Sequence, residues 1–223
     1  MDILYEDNHL IAVNKSTNDL VQGDKTGDRS LDTRLKEYLK TKYNKPGNVF
    51  VGVTHRLDRP VSGVVLFART SKALTRMNAL FNEGKVKKTY WAIVKDAPPK
   101  ADDELTHYLV RNEKQNKSYC HSILVRNAKK AVLAYRVIGT SDNYFLLEID
   151  LKTGRHHQIR AQLAAIGCPV KGDLKYGYPR SNEGGGISLH SRRIEFIHPV
   201  KKNLIIITAC VPAGEKLWTC FGI

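Results

Sequence analysis

Between Asp2 and Lys15 the apolar positions fall on both sides of a turn-forming triplet, Glu6-Asp7-Asn8, which predicts a two-stranded hairpin. Ser30 then opens a stretch in which Leu31, Leu35, Tyr38 and Leu39 recur at helical spacing while Lys36, Lys40 and Lys42 stay outside, so a helix capped by Ser30 is expected. Gly47-Asn48 ends that region and Val49 to Val53 reads as a strand. A loop follows, and then Val64 to Ala68, an unbroken apolar run suited to a buried central strand. Ser71 is positioned to cap a second helix that turns Leu74, Met77 and Leu80 or Phe81 inward and stops at Gly84.

Val86 to Val94 alternates as a long strand, and Asp96 to Lys100, with two prolines, is a surface break too short to link domains. Strand-like runs follow at Leu105 to Val110, Ile123 to Val125, Ala131 to Ile138 and Tyr144 to Leu151. A third helix is predicted over about His156 to Ile166, with Ile159, Leu163 and Ile166 on one face, Arg160 in its second turn, and Gly167 and Pro169 ending it. Gly184-Gly185-Gly186 marks a flexible loop before strands near Ile187 to Phe196 and Leu204 to Ala209. Strands outnumber helices without strict alternation and without an internal repeat, so the pattern predicts an α+β fold with a mixed, largely antiparallel sheet flanked by a few helices and loops. Its 223 residues can bury one core, and residues 1–223 are expected to form a single domain.

Composition changes this picture in one respect. Lysine and arginine total 36 against 22 acidic residues, a formal charge of +14 with a sequence pI near 9.6. A field of that sign concentrates polyanions, nucleic acid first among them. No predicted helix pairs a basic face with an aromatic one, so a membrane partner is not expected, and no apolar run is long enough to span a bilayer. The N-terminus lacks the regions of a secretory signal, which favours the cytoplasm. Cys120, Cys168, Cys210 and Cys220 have no zinc-site spacing and read as free thiols.

The chemistry concentrates in His55-Arg56-Leu57-Asp58-Arg59-Pro60-Val61-Ser62-Gly63. A carboxylate between two guanidinium groups is held ionised, and an ionised, positioned carboxylate can attack an electrophilic carbon. The same residues are equally what a solvated ion pair beside a turn would use.

This segment resembles the nucleophile motif of the RluA-type pseudouridine synthases, His-Arg-Leu-Asp followed by Ser-Gly and an apolar strand, with Val61 in place of the usual threonine. Four further blocks resemble the family: Leu4 to Asp7 with Leu10 to Lys15, Lys88 to Ala92, Lys152 to Arg160, and Gly167 to Asp173 with Tyr176-Gly177. The resemblance spans nearly the whole chain. It implies the pseudouridine synthase fold with a central RNA-binding cleft, isomerisation of uridine in ribosomal or transfer RNA, no cofactor or metal, and RNA, as a stem-loop, as partner to a monomer. It further implies that Asp58 is the essential carboxylate, adding to ribose C1′, taking a ribose proton or attacking the base. Arg160 would pair with the nucleophile or contact a phosphate. Tyr90 would stack on the target base, though its position also suits ordinary core packing, and Trp91 points to the opposite face of the strand.

A buried uridine must be extruded before a carboxylate can reach it, and Arg56 matches the arginine that fills the vacated place, unless it is a second partner for Asp58. Arg59, Arg155 and Lys88 are the expected RNA contacts. Clusters at Lys85-Lys87-Lys88, Lys171-Lys175-Arg180 and Arg192-Arg193 could track phosphates. His55, His156 and His157 do not form a metal site by spacing. Lys15-Ser16 stands where the family has Lys-Pro, Gln162 where many members have histidine and Ser191 where many have alanine; these departures bear on substrate fit. With the catalytic motif beginning at residue 55, an N-terminal module of the S4 type is not expected. Two other readings are a non-catalytic RNA-binding protein of the same fold and a base-removing glycosidase, the latter needing a second carboxylate that the motifs do not supply.

Overall fold

The computed structural model describes residues 1–24 and 27–222. By the density of its contacts the chain divides into two compact units, Met1–Val86 with Ser191–Cys210, and Lys87–His190 with Val211–Ile223.

The first unit opens with β1 (Asp2–Glu6) and β2 (Leu10–Lys15), the predicted hairpin, antiparallel with a shift of register between Ile3 and Tyr5. Asp7 makes its turn: the carboxylate accepts the backbone N–H groups of His9 and Leu10, both at 2.8 Å. Helix α1 (Leu31–Lys42) buries Leu31, Leu35 and Leu39 as the periodicity requires. Ser30 stands at its N-cap, but the hydroxyl bonds the Asp32 carboxylate (2.5 Å) and no backbone N–H. Next come β3 (Gly52–Val53), β4 (Ser62–Ala68) and α2 (Ser71–Asn82). The cap of α2 is Thr70 and not Ser71; its hydroxyl accepts the Ala73 N–H at 3.1 Å, the bond that a cap one residue earlier can make.

In the second unit, β5 (Lys87–Val94), β6 (Asp102–Asn112), β7 (Lys117–His121), β8 (Lys129–Thr140) and β9 (Phe145–Leu151) form an antiparallel sheet in the order β5-β9-β8-β6-β7. The strand expected at Ile123 to Val125 is absent. β6 turns back through residues 113–116 and pairs from Lys117, which leaves Ile123 and Leu124 past the end of the ladder, 70% and 68% exposed. Helix α3 (Gln158–Ala165) begins two residues later than expected, so Arg160 falls in its first turn. Strand β10 (Leu189–Ile197) starts in this unit and continues from Ser191 in the first, where it pairs with β11 (Leu204–Thr208); α4 (Lys216–Thr219) closes the second unit.

Every strand pair whose register is described is antiparallel, and the chain has the α+β architecture of strands with few helices. Every residue of β4 is buried, as its apolar run predicts. On one face Leu10, Ala12, Val64 and Leu66 join Ala73 and Met77 of α2 with Phe196, Ile205 and Ile207. Val13, Val65 and Phe67 on the opposite face are equally shielded from water. That core fixes both ends of the loop between β3 and β4.

Candidate active-site residues

Asp58 lies in that loop, half-buried, with Arg56 and Arg59 exposed on either side. The loop is held along its main chain. Thr54 donates its hydroxyl to Leu66 O at 2.7 Å, and the Leu66 N–H donates to His55 Nε2 at 3.1 Å, so both side chains brace the loop against β4. A turn bonds Val61 N–H to Asp58 O at 3.0 Å. After it comes Gly63, with φ +110°, where a Cβ would stand 2.3 Å from Ser191 O; the close approach of β4 to β10 leaves room only for glycine.

The residue that ties this loop together is Lys15, at the end of β2 and 1% exposed. Its ammonium donates to Ser16 O at 3.0 Å, Arg59 O at 2.9 Å and Val61 O at 2.7 Å. An ammonium has three protons, and the three carbonyls can take all of them. Burial brings its pKa down to about 8, while the charges of Asp19 and Asp58 pull it back up. Lys15 is therefore a buried cation whose ammonium feels the charge of Asp58, one that the sequence alone did not single out. Arg59 sends its guanidinium to Asp28 at 2.7 Å.

In the second unit Tyr90 is 7% exposed on β5, opposite Ile149 of β9. Lys88, two residues earlier, shares its strand face. Burial lowers the Lys88 pKa, with Asp150 acting in the other direction. Trp91 faces the other way, half-buried, and donates its indole N–H to Glu148 at 3.3 Å. Arg155 precedes α3, exposed, with its Nε–H donated to Lys130 O at 3.0 Å.

Arg160 is buried, and its Nε and Nη2 donate to the two oxygens of Asp173 at 2.6 and 2.9 Å. That pairing has no counterpart in the sequence reading. Gln162, standing where many relatives of the motif have histidine, is fully buried and gives its amide to Leu105 O (3.0 Å) and Ala131 O (3.3 Å). Several residues of the basic clusters also have internal partners: Lys85 pairs with Glu83, Lys171 with Asn182, Arg192 with Ala209 O and Arg193 with Glu195, while Lys175 donates to Asn116 O. Among the described residues there is no cluster of three or more metal-ligating side chains, and no helix is long and apolar enough to cross a membrane.

In the first unit Asp58 is a carboxylate on a braced loop; in the second, Tyr90 is an aromatic ring on a strand and Arg160 a guanidinium oriented by Asp173. Residues 9–165 match the RNA pseudouridylate synthase family. The chain is 32% identical over 228 residues to tRNA pseudouridine synthase C of Salmonella typhi, covering 94% of this chain and 85% of that one. It is 35% identical over 176 residues to ribosomal large subunit pseudouridine synthase C of Rickettsia felis, covering 78% of this chain and 55% of that protein. Among solved structures, human RNA Pseudouridylate Synthase Domain Containing 4 superposes with a TM-score of 0.80 at 23% identity, over 95% of this chain and 89% of that chain. For human RNA Pseudouridylate Synthase Domain Containing 1 the TM-score is 0.76, also at 23% identity, over 99% and 87%.

Proposed function

The chain belongs to the RluA-type RNA pseudouridylate synthase family, and on that premise we propose that Asp58 is the carboxylate on which its isomerisation of uridine to pseudouridine depends. The reaction breaks the bond from ribose C1′ to uracil N1, turns the base and joins C1′ to C5. The proton on C5 leaves and N1 gains one, so nothing is oxidised or reduced.

The observation that carries the proposal is the construction of the Asp58 loop: buried Lys15 gives its three protons to the Ser16, Arg59 and Val61 carbonyls, two of them within three residues after Asp58. The carboxylate is thereby given a fixed origin beside a buried positive charge, which suits an ionised nucleophile. Tyr90, its ring on a rigid strand, serves as the platform for the target base. Arg160 is the guanidinium that orients the reacting carboxylate. Arg56, exposed and planar, takes the place of the extruded base, and Arg59, Arg155 and Lys88 contact the RNA backbone.

The substrate is a uridine of ribosomal or transfer RNA, since the relatives carry those two names. The same reading takes residues 1–223 as one catalytic domain, monomeric and cytoplasmic. Incubation with bulk ribosomal and transfer RNA, each tritiated at uracil C5, tests the substrate. Release of tritium from one fraction identifies its class, and release from neither, with RNA still bound, contradicts the assignment.

A further inference from the structure

The first turn of α3 is held by a buried polar network whose members have no part in the roles above. Asp173 and Tyr176 lie on one tight turn, in which Asp173 O accepts the N–H groups of Tyr176 (3.1 Å) and Tyr178 (3.0 Å). Gly172 precedes them with φ +86°, where a Cβ would meet Asn182 Oδ1 at 2.6 Å, so the position favours glycine. From this turn two side chains grip Arg160. The Asp173 carboxylate takes Nε and Nη2 side by side, with the pair 6% and 1% exposed, and the Tyr176 ring lies 5.1 Å from the guanidinium carbon.

Tyr176 is itself tied down. Its hydroxyl accepts the Ser118 N–H at 2.9 Å, donates to Ser118 O at 3.2 Å and stands 3.0 Å from His157 Nδ1. His157 enters the helix in the left-handed region, φ +53°, and stacks on His156 with ring centroids 3.8 Å apart. Ser118 donates its hydroxyl to His156 O at 2.7 Å, so His156 Nδ1, 2.9 Å from the same oxygen, is the donor back to it. A histidine at positive φ costs of order 1 kcal/mol and persists only where its surroundings impose it.

A buried ion pair adds little net stability, because desolvation offsets most of the attraction; apolar side chains of the same volume often serve as well. What a bidentate carboxylate under an aromatic ring does supply is direction. We propose that Asp173 and Tyr176 are positioning residues for the isomerisation, acting by fixing the plane of the Arg160 guanidinium. The proposal rests on the catalytic role given to Arg160 above.

The test is a double-mutant cycle on the single-turnover rate of tritium release, with RNA affinity and thermal melting followed in parallel. Asp173→Asn is expected to slow release about 10²-fold, the cost of a small misplacement of a reacting group, with RNA affinity unchanged. In an Arg160→Ala background the same change is expected to add nothing, since the group it orients is gone. Tyr176→Phe keeps the ring, removes only the hydroxyl, and is expected to give a smaller loss that also vanishes in the Arg160→Ala background. Should Asp173→Asn fail to fold, Tyr176→Phe carries the test alone. Wild-type rates in the folded variants, or losses that multiply with that of Arg160→Ala, overturn the proposal. A wild-type rate for Arg160→Ala alone would instead remove the role of Arg160, and the positioning role with it.

Discussion

The loop that carries Asp58 and the turn of Asp173 and Tyr176 that follows α3 each hold an ionisable side chain in place, but they are built from different materials. In the loop the contacts run to main-chain atoms: Lys15 to three carbonyls, Thr54 and His55 to Leu66, and Gly63 against the backbone of Ser191. At α3 they run between side chains, with Asp173 and Tyr176 on Arg160 and His157 on Tyr176. Main-chain acceptors are present whatever the side chain, so the loop can exchange a residue such as Val61 while keeping its path. A side-chain network has no such freedom, because each partner must have the right atom at the right length.

Substitutions in the loop separate these materials. The largest effect is expected for Gly63→Ala, whose new methyl group would stand 2.3 Å from Ser191 O at a φ of +110°. It should destabilise the chain by more than about 4 kcal/mol in urea denaturation, or abolish folding. Lys15→Met comes next. It leaves three carbonyls short of a donor, and a loss of about 2 to 3 kcal/mol is expected, with slower tritium release from the loosened loop; unchanged stability would show that the lysine is not its tie.

A pH series sharpens the same point. Burial holds Lys15 at about 8 against an ordinary value of 10.5, so between those limits the unfolded chain binds the proton more readily than the native one. Unfolding free energy should therefore rise with pH from about 8 towards 10.5, and this contribution should be missing from Lys15→Met when the two slopes are compared. The smallest effect is expected for Arg59→Ala. Its pair with Asp28 is half-exposed on both sides, and removing it should change stability by less than about 0.5 kcal/mol. A loss comparable to that of Lys15→Met would move the support of the loop from the buried lysine to the flanking arginines.

The same contrast explains how far the sequence could be read. The hairpin, the inner face of α1 and the buried run of β4 follow from local periodicity, and the structure has them within a residue or two. Lys15 gave no such signal. Lysine is ordinarily solvated, and two of its partners are carbonyls 44 and 46 positions away, atoms that every residue possesses. Ile123 to Val125 misled for the converse reason: an apolar triplet imitates a strand, but the turn at residues 113–116 had already set the ladder of β6 with the more polar Lys117–His121. The late start of α3 depends on His157 at positive φ, which no propensity scale favours. Asp173 and Tyr176 stood within a motif block, yet their grip on Arg160 became visible only once the turn was folded against the helix.

The central claim is that Asp58 performs the chemistry. Asp58→Asn preserves the shape of the side chain and removes its charge, so the decisive measurement is its single-turnover tritium release from RNA labelled at uracil C5, beside the wild type and at matched RNA occupancy. The account predicts release by the wild type and none by Asp58→Asn with RNA binding retained; release by Asp58→Asn at the wild-type rate would contradict it.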